Sequence, residues 1–155
     1  MQTLKLNEDT ARKIYPNSSP EFKVLLEESF PKGFFFKNII ERTNSIDDIF
    51  SIAGKTILEI INSNDTKDES AYKVLKFGIA VLNEEWIPDY TNPNQSKYEP
   101  RFILGANSIL KYYSYNILTK TAIINSHLVY RSYDHMMHGI RIMHEFYNDF
   151  IRINK

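Results

Sequence analysis

The chain has 155 residues, of which 43% are hydrophobic and 14% aromatic, and this composition predicts one packed domain over residues 1–155 rather than a disordered or fibrous protein. Cysteine is absent, which excludes disulfides, thiolate metal sites and cysteine nucleophiles and favours a reducing compartment. The 19 basic and 19 acidic side chains give a formal net charge of zero.

The first third of the chain predicts two capped helices. Asn7 is a candidate N-cap for a helix over 8–15, with carboxylates in the first turn that favour the helix dipole. Ser19 followed by Pro20 begins a second helix, whose apolar residues recur at helical spacing until Pro31 ends it.

Residues 34–61 predict shorter helical pieces. The run Phe34-Phe35-Phe36 is expected to be buried, because an exposed aromatic run promotes aggregation, and to lead into a helical turn through residue 40. Ser45 is a candidate N-cap for a helix over 46–53, and residues 56–61 predict one further helical turn.

The longest predicted helix covers residues 68–83 and completes a helical part at about 7–83. Its apolar residues form a continuous stripe at helical period opposite charged side chains. The stripe consists of Ala71, Val74, Leu75, Gly78, Ile79 and Leu82.

Residues 84–97 predict an ordered loop. This segment holds the only tryptophan, two of the six prolines, and Asn and Asp residues whose short side chains bond their own backbone. We interpret Trp86, Pro88 and Tyr90 as structural anchors of the loop rather than as substrate contacts.

The last third of the chain predicts a small antiparallel sheet over about 98–131, with strands near 101–104, 109–118 and 122–131. In the third strand, Leu128 and Tyr130 would face one side while Val129 faces the other, as in a half-buried strand. Ser132 is a candidate N-cap for one terminal helix, which completes the sheet region at 98–152 and packs on the sheet. The predicted fold class is therefore α+β.

Two sequence blocks carry a family resemblance. They read Leu-Asn-Glu-Glu-Trp-Ile-Pro-Asp-Tyr, residues 82–90, and Asn-Gln-Ser-Lys-Tyr-Glu-Pro-Arg-Phe, residues 94–102. Together with residues 10–30 and the unit that begins at Leu128, they resemble small proteins of Bacteroidota genomes, their phages and prophages. The resemblance implies a phage or mobile-element context, with no family activity and no catalytic residue to carry over. The chain departs from the family pattern at Arg101, where an aromatic residue is usual.

The charge is distributed unevenly along the chain. Residues 1–95 carry 11 basic and 15 acidic side chains, whereas residues 96–131 carry five basic side chains and one acidic side chain. Basic and aromatic residues interleave in this second region, where bases could stack on rings while cations follow phosphates. The candidate binding residues, for protein or single-stranded nucleic acid, are Lys97, Tyr98, Arg101, Lys111, Tyr113, Tyr115 and Arg131.

The four histidines, His127, His135, His138 and His144, fall within 18 residues. His135 and His138 are i, i+3 neighbours that could meet one metal ion, but His144 lies about 240° further round the helix and no His-Glu-x-x-His motif is present. Exposed or half-buried histidines without a metal are the favoured interpretation. Neighbouring carboxylates such as Glu84 and Glu85 diverge on a helix, so we expect no acid/base pair, no cofactor and no enzyme of a common class.

These observations lead to two functional hypotheses. The first is a non-enzymatic accessory protein of a phage or mobile element that binds a protein of host or phage; the alternative is a single-stranded nucleic-acid-binding protein that uses a basic, aromatic sheet face. The sequence is also compatible with a homo-oligomer. The chain begins without the apolar core of a signal peptide and has no run of about 18 apolar residues, so we expect no membrane partner and a cytoplasmic or virion-associated location.

Overall fold

The computed structural model describes residues 6–30, 34–35, 38–84, 86–105, 110–119 and 128–151. By internal packing the chain divides into two compact units, residues 1–42 and 43–155. The described residues contain seven helices and one antiparallel pair of strands, which confirms the α+β class. The prediction of a single domain over the whole chain stays a prediction.

The first unit contains α1 (Glu8–Ile14), a 3-10 turn (Tyr15–Asn17), α2 (Pro20–Ser29) and α3 (Ile39–Arg42). The predicted caps are present, because the side chain of Asn7 accepts from the Thr10 amide and that of Ser19 from the Phe22 amide.

An aromatic cluster joins α1, the 3-10 turn and the end of α2. The ring of Phe35 stacks on Tyr15 with centroids 4.2 Å apart, and the ring of Phe34 stacks on Phe30 at 4.6 Å. The guanidinium of Arg12 lies 4.1 Å over Phe34. Phe34 and Phe35 are half-buried rather than fully buried, and Phe36 lies outside the described residues.

The second unit begins with α4 (Ile46–Ile52), a 3-10 turn (Ile57–Glu59) and α5 (Lys67–Asn83). Capping boxes begin both helices: Ser45 with Asp48, and Thr66 with Glu69. The start of α5 therefore lies one residue before the prediction, since Thr66 rather than Lys67 is its N-cap.

Helix α5 forms the centre of the second unit, and its predicted apolar stripe is buried. It packs against α4, α6 and α7, which are α6 (Tyr133–Ile142) and α7 (His144–Ile151). The buried residues of the stripe are Ala71, Val74, Leu75, Gly78, Ile79 and Leu82. Among the described helices, none has both the length and the apolarity needed to cross a membrane.

Strands β1 (Lys97–Leu104) and β2 (Leu110–Leu118) form an antiparallel hairpin. The register pairs Lys97 with Leu118 at the open end and Leu104 with Leu110 near the turn, and it shifts by one residue between Arg101 and Phe102. The inner side of the hairpin contacts the helices, since the ring of Phe102 lies 4.8 Å from that of Tyr147 on α7.

The predicted third strand is wrong for the part that the structure describes. Leu128, Val129 and Tyr130 are all buried instead of alternating, and only Tyr130 forms a bridge, opposite Tyr98 of β1. The next antiparallel pair would join Leu128 to Pro100, whose ring nitrogen carries no hydrogen to donate. Residues 122–127, the remainder of the predicted strand, lie outside the described residues.

The predicted C-terminal helix is present, but it is divided into two consecutive helices, α6 and α7. Ser132 caps α6 as predicted, by accepting from the His135 amide, but Met143 leaves the helical conformation with φ −115° and ψ 18°. The break leaves Met143 fully buried against Gly78 of α5. It also allows His144 Nε2 to bond the Leu110 carbonyl of β2 at 3.2 Å, so tertiary contacts favour the break.

Candidate interaction surface

The hairpin presents a row of exposed side chains on the side opposite the one that packs against Tyr147 of α7. By alternation along β2 and by the register, the exposed residues of this outward face are Ile103, Lys111, Tyr113, Tyr115 and Ile117, and the half-buried Tyr98 and Pro100 share it. The four exposed uncharged side chains are 65% exposed for Tyr113, 49% for Ile117, 48% for Ile103 and 41% for Tyr115. The outward face is therefore apolar and aromatic, with one cation.

The local sequence explains this face. From Leu110 to Leu118 the exposure alternates strictly, with Leu110 buried and the odd-numbered residues exposed, as the period of two in a strand requires. The shift next to Arg101 leaves Tyr113 without an opposite residue, and a bulge of this kind increases local twist. Tyr113 is consequently the most exposed ring of the hairpin.

Aromatic rings flank the centre of the outward face. The ring of Tyr115 lies 5.2 Å from that of Tyr133, the first residue of α6, and 6.0 Å from that of Tyr98. Tyr133 is itself 42% exposed, so it extends the face towards α6. These contacts hold Tyr115 in place while leaving part of its ring open, which suits a preformed contact surface.

The cations predicted for this region do not gather on the outward face. Lys111 lies on it, whereas Arg101 is exposed but belongs by register, opposite Ser114, to the other side of the hairpin. Lys97 is only 2% exposed. Its ammonium group donates to the Gln95 carbonyl at 2.8 Å and lies 5.5 Å from the ring centre of Tyr90. Lys97 therefore acts inside the fold and is not available as a surface cation.

Arg131 forms an internal polar network. Its Nη2 pairs with Glu84 at 2.8 Å, its Nε donates to His135 Nε2 at 2.9 Å, and its main-chain N–H donates to Asn83 Oδ1 at 3.0 Å. Asn83 is 4% exposed and also donates to the Val129 carbonyl at 2.8 Å. This network joins the end of α5 to the segment before α6, so Arg131 is half-buried and occupied.

Sequence reasoning missed Asn83 as a structural residue. The signal available was an asparagine at the last position of a strongly amphipathic helix, but its partners lie 46 and 48 residues further along the chain. No local spacing connects such residues.

The anchors of the predicted loop are all half-buried. Trp86 donates its main-chain N–H to the Asn83 carbonyl at 3.1 Å, and burial raises the pKa of Tyr90. The side chain of Gln95 bridges the loop, accepting from the Asp89 amide and donating to the Ile87 carbonyl at 3.0 Å. The loop thus holds itself together with its own polar groups, and Pro88 lies within that bridge.

Two of the histidines are held in neutral form. Arg131 Nε can only donate, so His135 Nε2 accepts and its Nδ1 donates to Ser132 Oγ at 2.7 Å. By the same reasoning His138 accepts from Arg141 at 3.3 Å and donates to Thr43 at 2.7 Å. Burial, and then the neighbouring arginine, lowers the pKa of each imidazole.

The described residues contain no group of three or more metal-ligating side chains. His144 bonds Leu110 and Asn148, away from the other two, and His127 lies outside the described residues. The described contacts of Asp89 are with its own loop, at Thr91 and Gln95, and do not include a histidine. The side chains of His144 and Asp89 therefore make hydrogen bonds within the fold.

One shallow cleft lies beside α4, with a volume of about 360 Å³. Its lining includes Phe50, Ile57 and Lys55, and the amine of Lys55 is paired with Glu59 at 3.1 Å. The lining also includes Asp47, Ser51 and Thr56, and the Thr56 hydroxyl donates to the same Glu59 carboxylate at 3.1 Å.

No protein-family model matches the chain, and no curated protein or solved structure matches it either.

Proposed function

We propose that the chain is a non-enzymatic accessory protein of a Bacteroidota phage or mobile element, and that it binds a host or phage protein through the outward face of the hairpin. The phage context rests on the sequence resemblance alone. The binding role rests on one observation: four large uncharged side chains of one hairpin face are 41–65% exposed.

The composition of this face favours a protein partner. Tyrosine is enriched in interface hot spots, and a β-branched or aromatic side chain brings a large apolar area at low entropic cost. Tyr115 is held by its neighbours Tyr98 and Tyr133, so little ordering is needed when a partner binds.

The alternative, binding of single-stranded nucleic acid, has less support from the geometry. Such sheets need cations that follow the phosphates beside the stacking rings. Of the four cations that the sequence suggested, Lys111 alone shares a face with Tyr113 and Tyr115, because Lys97 is buried, Arg101 belongs to the other side and Arg131 is paired.

The test compares three tagged proteins as baits in lysates of host cells with and without phage: wild type, the double variant Ile103→Ser with Tyr113→Ser, and the matched control Leu58→Ser. Leu58 is 78% exposed and lies in the 3-10 turn after α4, so its replacement removes a similar apolar side chain from elsewhere in the second unit. We expect a protein that wild type and Leu58→Ser capture and the double variant loses by a factor of ten or more, since each hot-spot truncation costs about 1–2 kcal/mol.

Equal capture by all three baits, or none by wild type, would overturn the proposed function. A titration with a labelled single-stranded oligonucleotide at two salt concentrations tests the alternative, because phosphate contacts make affinity fall steeply as salt rises. Gene neighbourhood tests the phage context independently: a gene that lies outside any phage or mobile element contradicts it.

A further inference from the structure

The outer edge of β2 carries main-chain groups whose direction the hairpin register determines. Tyr98 donates its N–H to the Tyr130 carbonyl and accepts from the Tyr130 N–H, both at 2.9 Å, so its groups point away from β2. In an antiparallel pair of strands, two opposite residues direct their main-chain N–H and C=O groups either both towards each other or both away from each other. Ile117, which is opposite Tyr98, therefore directs its N–H and C=O to the outer edge.

The same reasoning applies to Tyr115, which is opposite Pro100. Pro100 lies two residues after Tyr98 on β1, so the main-chain groups of Pro100 and Tyr115 also point away from each other, and those of Tyr115 point to the outer edge of β2. A proline at this position removes no hydrogen bond of the ladder, which agrees with the assignment. In the part of the chain that the structure describes, the outward main-chain groups of Tyr115 and Ile117 have no hydrogen-bond partner.

We propose that these groups pair with a second copy of the chain, β2 against β2, about a two-fold axis at Asn116. In this register Tyr115 of each copy lies opposite Ile117 of the other, so two hydrogen-bonded pairs supply four main-chain bonds. Each pair also places an aromatic side chain beside a β-branched one, a favourable cross-strand combination. The two hairpins become one four-stranded sheet with a doubled outward face.

A second copy is the occupant that the edge fits, because the two outward-directed residues are spaced i, i+2 and are complementary to themselves about their midpoint. A two-fold interface requires this kind of self-complementarity. The edge also carries none of the features that prevent strand pairing: between Tyr112 and Leu118 there is no charge and no proline.

Charge permits the same arrangement. Lys111 is the single charged residue of β2, and it lies five residues from Asn116. In the proposed register the two Lys111 residues are about 34 Å apart along the strands, far beyond the Debye length of about 8 Å at physiological salt. The formal net charge of zero adds no repulsion between whole chains.

The decisive test uses the absence of cysteine from the chain. In the full-length variant Asn116→Cys, the two introduced thiols would face each other in a non-hydrogen-bonded pair with Cα atoms about 4.5 Å apart, within the range of about 4.4–6.8 Å that a disulfide spans. In the matched control Ser114→Cys the separation would be about 14 Å, too long for a disulfide. Under mild oxidation we expect a covalent dimer from Asn116→Cys and monomer from Ser114→Cys. Monomer from both variants, or equal cross-linking of both, would overturn the proposal.

Light scattering of the wild-type chain after size exclusion provides a second measurement. We expect a species of twice the 18.2 kDa chain mass, and monomer for Ile117→Pro, which removes an outward N–H without removing a bond of the hairpin. Circular dichroism of Ile117→Pro serves as the control for folding. A wild-type chain that is monomeric at all concentrations would contradict the dimer. The variant Ile103→Ser with Tyr113→Ser leaves the edge groups intact and is expected to remain dimeric, so loss of partner capture and loss of the dimer are separate outcomes.

Discussion

Gly139 on α6 lies against a tyrosine that positions the hairpin. A Cβ atom at this residue would lie 2.5 Å from both Cε1 and the hydroxyl oxygen of Tyr130, too close for any real contact. Tyr130 is fully buried, its hydroxyl bonds that of Tyr147 at 2.8 Å, and its main chain bridges Tyr98 of β1. The substitution Gly139→Ala therefore tests whether this packing is as tight as the distances indicate.

The expected magnitude follows from opposing terms. Alanine gains about 1 kcal/mol over glycine inside a helix. Overpacking costs about 1–3 kcal/mol, and displacing Tyr130 breaks a buried hydroxyl pair at a further cost of about 1–3 kcal/mol. We expect Gly139→Ala to lower the free energy of unfolding by about 2–3 kcal/mol, which corresponds to about 5–10 °C in Tm for a chain of this size.

Urea unfolding followed by circular dichroism measures this change, with Gly78→Ala as the matched control. A Cβ at Gly78 would meet the sulfur of Met143 at 2.5 Å, but an unbranched thioether can move where a ring bonded at its hydroxyl cannot. We expect Gly78→Ala to remain within about 1 kcal/mol of wild type. If Gly139→Ala is as stable as wild type or more so, Tyr130 is not held where the structure places it, and the reasoning is refuted.

Three further predictions concern the second unit. The pKa values of His135 and His138 are lowered from 6.5 in the folded chain, so the unfolded chain binds more protons than the folded chain just below pH 6.5. The free energy of unfolding should therefore fall as the pH drops from about 7.5 to 5.5, a range above that in which carboxylates titrate. Stability that rises on acidification would contradict this prediction. Asn83→Ala leaves the Val129 carbonyl and the Arg131 main-chain N–H without their partner. The free energy of unfolding, measured by urea denaturation, should fall by about 2–3 kcal/mol. A loss below about 0.5 kcal/mol would show that water replaces the side chain. Thr66→Ala removes the N-cap of α5 and should cost about 1 kcal/mol by the same measurement, with Thr66→Ser close to wild type; equal losses for both would refute the capping role.

The helices show how far local sequence reaches. The caps at Asn7, Ser19, Ser45 and Ser132 were all predicted, since a cap side chain bonds an amide three residues along the chain. The apolar stripe of α5 was likewise predicted, because its period is fixed by the helix itself.

The candidate interaction surface was predictable only in part. Alternation along β2 indicated that Tyr113 and Tyr115 share one side, but no local residue pattern indicated which side faces the helices. Lys97 was predicted as a binding cation and is buried, because its burial depends on Tyr90 and Gln95 of the folded loop. Arg131 was also predicted as a binding residue, and its partners Glu84 and Asn83 lie 47 and 48 positions earlier in the sequence.

The sequence alone determined the α+β class, the helix starts and the existence of the hairpin, since these depend on side chains within a few positions of one another. Tertiary structure decided that the third strand reduces to one bridge at Tyr130, that the terminal helix breaks at Met143, and that the outward face lacks most of the predicted cations. Each of these outcomes depends on a partner far along the chain: Tyr98 for the bridge, Gly78 for the break, and the helices that cover the inner side of the hairpin.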